Sequence, residues 1–163
     1  MNILYVHSHP YAKSFHAAIR DSYVAAAKKA GHTVEVINLG ELSFDPVLRF
    51  GYSEYMSPDD AIDRSQQLVK WADHIVFAYP LWWGGPPSLL TGWIARVFTP
   101  GFSYHTHGLL TSERLLTGTS ADIIITSRTP RFLWPFTGNI GAALLTHNLF
   151  VLTGIKKRHI AVL

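Results

Sequence analysis

The chain has 163 residues, 48% of them hydrophobic and 15% charged, with a formal net charge of +3 and no cysteine. That length suits one domain with a substantial core, and the absence of cysteine excludes disulfides, thiolate metal sites and a catalytic thiol. Lys and Arg are scattered except at Lys156-Lys157-Arg158, which argues against nucleic acid and leaves an anionic small molecule as the partner that the positive balance suits.

The amino terminus, Met1-Asn2-Ile3-Leu4-Tyr5-Val6, lacks the basic start and cleavage site of a signal peptide, so a cytoplasmic location is expected. No apolar run approaches the roughly 20 residues that span a bilayer, so no stable membrane insertion is expected. Ile3 to Val6 reads as a buried strand and His7-Ser8-His9-Pro10-Tyr11-Ala12-Lys13 as a polar turn. Behind a Ser14 N-cap, Phe15, Ile19 and Tyr23 recur at helical spacing on one face. Gly31-His32 ends that helix before a second strand, Thr33 to Ile37. From Leu39 to Pro58 the pattern dissolves into a surface excursion with Phe44, Phe50 and Tyr55 as anchors.

Pro58-Asp59-Asp60 opens a second helix, with acids where the helix dipole favours them, and Ile62, Leu68, Val69 and Trp71 form its apolar side. The third strand runs from His74 to Tyr79, and Leu89, Leu90, Trp93, Ile94, Val97 and Phe98 mark a third helix, broken at Thr99-Pro100-Gly101. After an irregular segment, Ala121 to Thr126 is strand four; Ile140, Leu144, His147 and Val151 carry a fourth helix to Gly154, and Arg158 to Leu163 is strand five.

Strands alternating with helices predict a single α/β domain over residues 1–163, a parallel sheet covered on both faces. Right-handed crossovers leave few topologies, and five strands suit the order 2-1-3-4-5, with a ligand at the carboxyl ends of strands one and three. Both unusual turns follow those two strands. In the second, Tyr79-Pro80-Leu81-Trp82-Trp83-Gly84-Gly85-Pro86-Pro87, the glycines let backbone approach a flat ligand and the indoles offer it a wall. In the first, helix-start amides, the Ser14 hydroxyl and Lys13 form an anion site.

Gly-x-Gly-x-x-Gly, the Walker A lysine motif and Gly-x-Ser-x-Gly are all absent. His7-x-His9 with His105-x-His107 suggests a zinc site. The chain is far shorter than the roughly 250-residue barrels that carry such pairs, and no acid ends strand four, so no metal is expected. With no evident nucleophile, an organic cofactor is expected to do the chemistry.

His9-Pro10-x-x-x-Ser14-Phe15, together with Pro80-Leu81-Trp82-Trp83-Gly84 through Gly92-Trp93-Ile94-x-Arg96-Val97-Phe98, resembles the flavodoxin-like NAD(P)H:quinone oxidoreductase family over nearly the whole chain. The resemblance implies a flavodoxin-like three-layer sandwich holding FAD or FMN, with NAD(P)H as hydride donor, a quinone-like acceptor and ping-pong turnover. It implies cofactor contacts at His9, Ser14, Phe15, His16, Pro80, Leu81, Trp82, Trp83, Gly84, Thr126, Ser127, Arg128 and Thr129, and a substrate pocket at Trp83, Tyr104 and Phe132. It also implies a homodimer, for which Trp93, Phe98 and the aromatics from Phe102 to Tyr104 are surplus to one sheet face.

The chain departs from that family after strand four. Some members have two glycines there, then a Tyr and a His, where this chain has Arg128-Thr129-Pro130, then Phe132, Trp134 and Phe136, with no His before His147. No catalytic Tyr or His is therefore assigned, and the flavin carries the chemistry. Gly84 stands where relatives have an aromatic residue. The resemblance also permits a redox-sensing ancillary subunit of a potassium-efflux-type membrane system, or a flavodoxin-type electron carrier, the latter disfavoured by the basic balance. Ending on a strand, the chain lacks the helix that normally follows strand five, so either the natural chain continues or a neighbour covers that face.

Overall fold

The computed structural model describes residues 1–107, 111–130 and 140–163. At its centre β1 (Asn2–His7) pairs in parallel with β2 (Thr33–Asn38) on one side and β3 (His74–Pro80) on the other. Beyond β3 lie β6 (Ser120–Thr126) and β7 (Lys156–Val162), which gives the sheet order β2-β1-β3-β6-β7. All seven residues of β3 and five of the six in β1 are buried, as strands covered on both faces must be, and this is why they read as unbroken apolar runs.

Alternate residues serve different layers. Leu4, Val6, Ile75, Phe77 and Tyr79 face a large core with Ile62, Leu68, Leu90, Trp93, Leu145 and Phe150. Ile3, Tyr5, Val76 and Ala78 face a smaller one closed by Tyr23, Val24 and Ala27 of α1 (Phe15–Lys29). In the larger layer, α2 (Asp60–Trp71) starts at an Asp59 cap that accepts from the Ile62 amide at 2.9 Å, and α3 (Ser88–Val97) follows Pro87. The Trp93 indole donates to Ser65 Oγ at 3.1 Å, so α3 is tied to α2 through the one polar atom that a buried indole must satisfy. Gly92 is required there: a Cβ would lie 2.5 Å from Pro46 Cβ, where residues 39–58 cross the helix.

Five features differ from the sequence expectations. The irregular segment contains an antiparallel hairpin, β4 (Tyr104–His107) with β5 (Thr111–Arg114), so the last two sheet strands are the sixth and seventh of the chain and the order is not 2-1-3-4-5 by number. The fourth helix is α4 (Ile140–Ala143), a π-helical segment (Leu144–Leu149) and α5 (Phe150–Thr153) run together. The wider π turn rotates the buried face to Ala142, Leu145, Leu149, Phe150 and Thr153, leaving His147 and Val151 exposed.

Phe15 is 68% exposed, because His16 and Ala17 take the inward positions at the start of α1. Trp93 and Phe98, expected to be surplus, pack edge to face in the core with centroids 5.7 Å apart. Of the three anchors of the excursion, only Phe44 packs on the core; Phe50 and Tyr55 are exposed. On the α1 side, Ser120, Asp122, Ile124 and Thr126 of β6 are only half-buried and β7 is almost wholly exposed.

Two imidazoles close the layer beneath α1. His7 ends β1 and His16 lies in the first turn of α1; each is 2% exposed, with ring centroids 6.3 Å apart. Burial lowers His7 to about 4, reinforced by the charges of Arg20 and His9 against a smaller opposite effect of Glu41 and Asp21. Burial likewise lowers His16 to about 4, reinforced by His7 and His9. The Tyr79 carbonyl opposes this weakly, without forming a hydrogen bond of good geometry at His16 Nδ1.

Unfolded imidazoles take up protons near pH 6.5 and these folded ones only near 4, so between those values the unfolded chain holds more protons. Their neutral burial therefore contributes stability that is complete above pH 6.5 and is lost as pH falls toward 4, by up to about 1.4 kcal/mol per pH unit for each ring. Thermal unfolding between pH 7 and 4.5 should show this fall, and His7→Leu should flatten the slope; an unchanged slope would show that His7 does not titrate between the two states.

Candidate functional site

The carboxyl ends of β1, β3 and β6 meet at one edge of the sheet. Register places His7 beside Ala78 and Pro80 beside Thr126. The chain leaves each strand there by a different route, and the three exits enclose a cleft of about 830 Å³, within the roughly 300–1,000 Å³ of small-molecule sites. Phe15, Pro80, Leu81, Trp82, Thr126, Ser127, Arg128, Thr129, Pro130 and Leu163 line it.

The exit from β1 leads to α1. Ser14 caps that helix by accepting from the Ala17 amide at 3.2 Å, so the free amides of a 15-residue helix open beside the cleft with their positive dipole end. His9 Nδ1 accepts from the Tyr11 amide at 3.0 Å, and its ring stacks on His16 and meets the Trp82 edge. Three buried polar atoms here have no hydrogen-bond partner among the described residues: His7 Nε2, Ser8 Oγ and His16 Nδ1. His16 Nε2 is paired, at 2.8 Å from Thr126 Oγ1, which ties α1 to the exit of β6.

The exit from β3 is the aromatic turn. The Leu81 amide donates to the Thr126 carbonyl at 2.8 Å, extending the β3–β6 ladder by one residue. Trp82 and Gly85 then exchange two backbone hydrogen bonds of 3.0 Å around Trp83 (φ 51°) and Gly84 (φ 78°). Positive φ at both central residues is the signature of a two-residue type I′ turn. Gly84 adopts it freely, whereas Trp83 pays for it, at about 1–2 kcal/mol for a residue with a Cβ.

The turn separates the indoles. Trp82, 45% exposed, lines the cleft, while the Trp83 ring projects fully into solvent and, with Gly84, lies outside the lining. The exit from β6 is a polar loop in which the Ser127 amide donates to the Leu163 carbonyl at 2.9 Å and the Thr129 amide to Ser127 Oγ at 3.0 Å. Arg128 is the one charged side chain among the lining residues.

Of the expected contacts, Phe15, Pro80, Leu81, Trp82, Thr126, Ser127, Arg128 and Thr129 thus line one cleft, with His9, Ser14 and His16 directly behind it. Tyr104 is elsewhere, on β4, with its hydroxyl raised by burial and by Tyr52. Phe132 lies outside the described residues. Sequence reasoning missed His7 and Ser8, whose polarity hid a strand end, and Tyr79, whose hydroxyl donates to the Gly141 carbonyl at 2.8 Å and fixes the last helix against β3. The lining holds no pair of carboxylates, and both buried imidazoles stay neutral near pH 7. The described lining is suited to binding and orienting a planar anion.

Comparison with known proteins agrees with the fold. A crystal structure from Streptococcus mutans UA159 is 35% identical and superposes with a TM-score of 0.88, over 100% of this chain and 87% of that one. A ribosyldihydronicotinamide dehydrogenase-like protein of Penicillium crustosum is 30% identical over 156 residues, 77% of this chain and 57% of the relative. NAD(P)H dehydrogenase [quinone] 1 of Cavia porcellus is 32% identical over 123 residues, 62% of this chain and 44% of that protein. The chain thus spans about half the length of these two curated relatives. The profile of the flavodoxin-like fold family matches residues 1–163, and the chain belongs to that family.

Proposed function

We propose that this chain is a flavin-dependent oxidoreductase that takes hydride from NAD(P)H and passes two electrons to a quinone or similar acceptor. The observation that carries this reading is the cleft between the exits of β1 and β3. It has a volume of about 830 Å³, opens onto a helix amino terminus, and has no redox-active side chain among its described lining residues. The names of the two curated relatives support the same reaction class.

The residues present fit FMN or FAD. The α1 amides and Ser14 would receive its phosphate, near His16 Nδ1 and Ser8 Oγ, which lack partners among the described residues. Pro80, Leu81 and Trp82 would support one side of the ring system, and Thr126 to Thr129 would close its other edge. Bound there, the flavin supplies the hydride-accepting and hydride-donating chemistry.

The protein's own contribution is positional and electrostatic. The Trp82 amide is occupied by the Gly85 carbonyl. The Trp83 and Gly84 amides, with no backbone partner among the described residues, are the donors left to face developing negative charge. The type I′ turn holds them in place, which gives the strained Trp83 backbone a function. Arg128 adds a cation at the other wall. Tyr104 stands apart and the described lining has neither Tyr nor His, so the proton that accompanies reduction of the acceptor would come from solvent or from a hydroxyl near the acceptor.

Two measurements test this reading. Ser14→Glu puts a negative charge at the helix start, and the purified variant should lose its flavin while Ser14→Ala keeps most of it. Full flavin content in Ser14→Glu would place the phosphate elsewhere. If nicotinamide and acceptor share the open side of the cleft in turn, initial rates should give parallel double-reciprocal lines, and intersecting lines would mean that both bind together. In the same assay, changing His105, His107 or His147 to Ala should lower kcat less than threefold. A hundredfold loss with flavin retained, about 2.7 kcal/mol, would restore a histidine to the chemistry.

A further inference from the structure

A second cavity, of about 420 Å³, lies between residues 48–58 of the excursion and the carboxyl end of α3. It begins where α3 ends, whereas the aromatic turn of the first cleft precedes the start of that helix. Ser88 and Arg96 are eight residues apart, about 12 Å along the axis. None of the residues that line it also lines the first cleft.

Its wall contains a buried cation. Arg96 is 4% exposed, and an ion removed from water costs several kcal/mol unless its hydrogen bonds are met by well-placed acceptors. They are poorly met here. One guanidinium nitrogen donates to Met56 Sδ, a weak acceptor, and another to the Ser57 carbonyl at 3.3 Å. The carboxylate of Asp59 stands 3.7 Å away, short of a hydrogen bond, and its other oxygen is engaged in capping α2 at the Ile62 amide. A guanidinium is a planar fork of five donors suited to bidentate pairing with a carboxylate, and among the described residues this one has no bidentate partner.

The rest of the cavity's described lining mixes aromatic and polar residues, with the exposed acid Glu54 at its rim. Tyr52, Tyr55, Phe102 and Leu48 line it beside Gln66, whose amide nitrogen is used by the Val97 carbonyl at 2.9 Å. Tyr52 and Tyr55 are 65% and 85% exposed, so the rim is open. A pocket of this size with aromatic walls and a few polar groups, here the buried Arg96 with the exposed Glu54 out at the rim, is the ordinary design of a small-molecule site.

We propose that this cavity is a second ligand site, separate from the cofactor cleft, which binds a single-ring aromatic carboxylate with its carboxylate on Arg96 and its ring among Tyr52 and Phe102. A neutral isostere of the same shape loses the charge-assisted pair and leaves the cation unmatched, so charge dominates the selectivity.

Benzoate and benzamide are the probes, titrated by calorimetry into the protein saturated with FMN. Benzoate should bind in the millimolar range or tighter, benzamide at least tenfold more weakly, and the flavin absorbance spectrum should stay unchanged. Arg96→Gln should remove the preference for benzoate. If that variant fails to fold, Tyr52→Ala, at an exposed position, should weaken benzoate at least threefold without shifting Tm. The proposal is overturned by equal binding of the two probes, by no binding of benzoate, or by benzoate affinity that is unaffected in both variants. It is also overturned if saturating FMN abolishes benzoate binding, which would place the probe in the cofactor cleft. That outcome would leave the oxidoreductase reading intact, since loss of flavin in Ser14→Glu tests that reading separately.

Discussion

The burial of β1 and β3 side by side, in parallel and covered on both faces, is the constraint on which the rest depends. Neither strand has a polar face to spare, so helices must cross on both sides of the sheet, and the chain must leave the two strands in opposite directions around it. The crevice left between those exits is bounded by whatever residues follow the strands. Here they are a capped helix start on one side and the Trp82–Gly85 turn on the other. The cleft is therefore a by-product of how the sheet is covered, and its chemistry resides in the loops.

What holds the exits in position is a small set of bonds from one strand end to the next. His16 to Thr126 joins α1 to β6, Leu81 to Thr126 joins β3 to β6, and Tyr79 to Gly141 anchors the last helix. His16 and Thr126 meet on the α1 side, where a buried polar atom stiffens the structure when paired and is costly when unpaired. The unpaired atoms of His7, Ser8 and His16 collect at that same spot, beside the helix start that offers amides to an anion. Stability is given up where a polar ligand would recover it.

Arg96 shows the same pattern in the second cavity. Its place in the last turn of α3 suits the helix dipole, yet its surroundings give it less than a buried cation needs. In both places the informative feature is a polar group that the fold has buried and not matched, and in neither is it a residue of unusual type.

Much of the architecture was legible in the residues themselves, because strand and helix periodicity report burial directly. Two covered strands read as apolar runs, a Ser14 cap preceded a helical repeat, and a proline-flanked pair of glycines and tryptophans marked the turn. The sequence by itself therefore determined the α/β alternation, the sheet topology apart from the hairpin, and the two loops that border the cleft. It did not determine which side chains those loops present. Trp82 and Trp83 are equivalent by composition, and only the type I′ geometry sends one into the cleft and the other to solvent. The π turn shifted the buried face of the last helix in a way that no 3.6-residue repeat can show, and the hairpin carried Tyr104 to Tyr52 and away from the cleft at the strand ends. Arg96 looked like one more residue of an amphipathic helix until the excursion folded over it. Local pattern sets which elements form; the pairing of polar atoms across elements far apart in the chain is decided only when those elements pack.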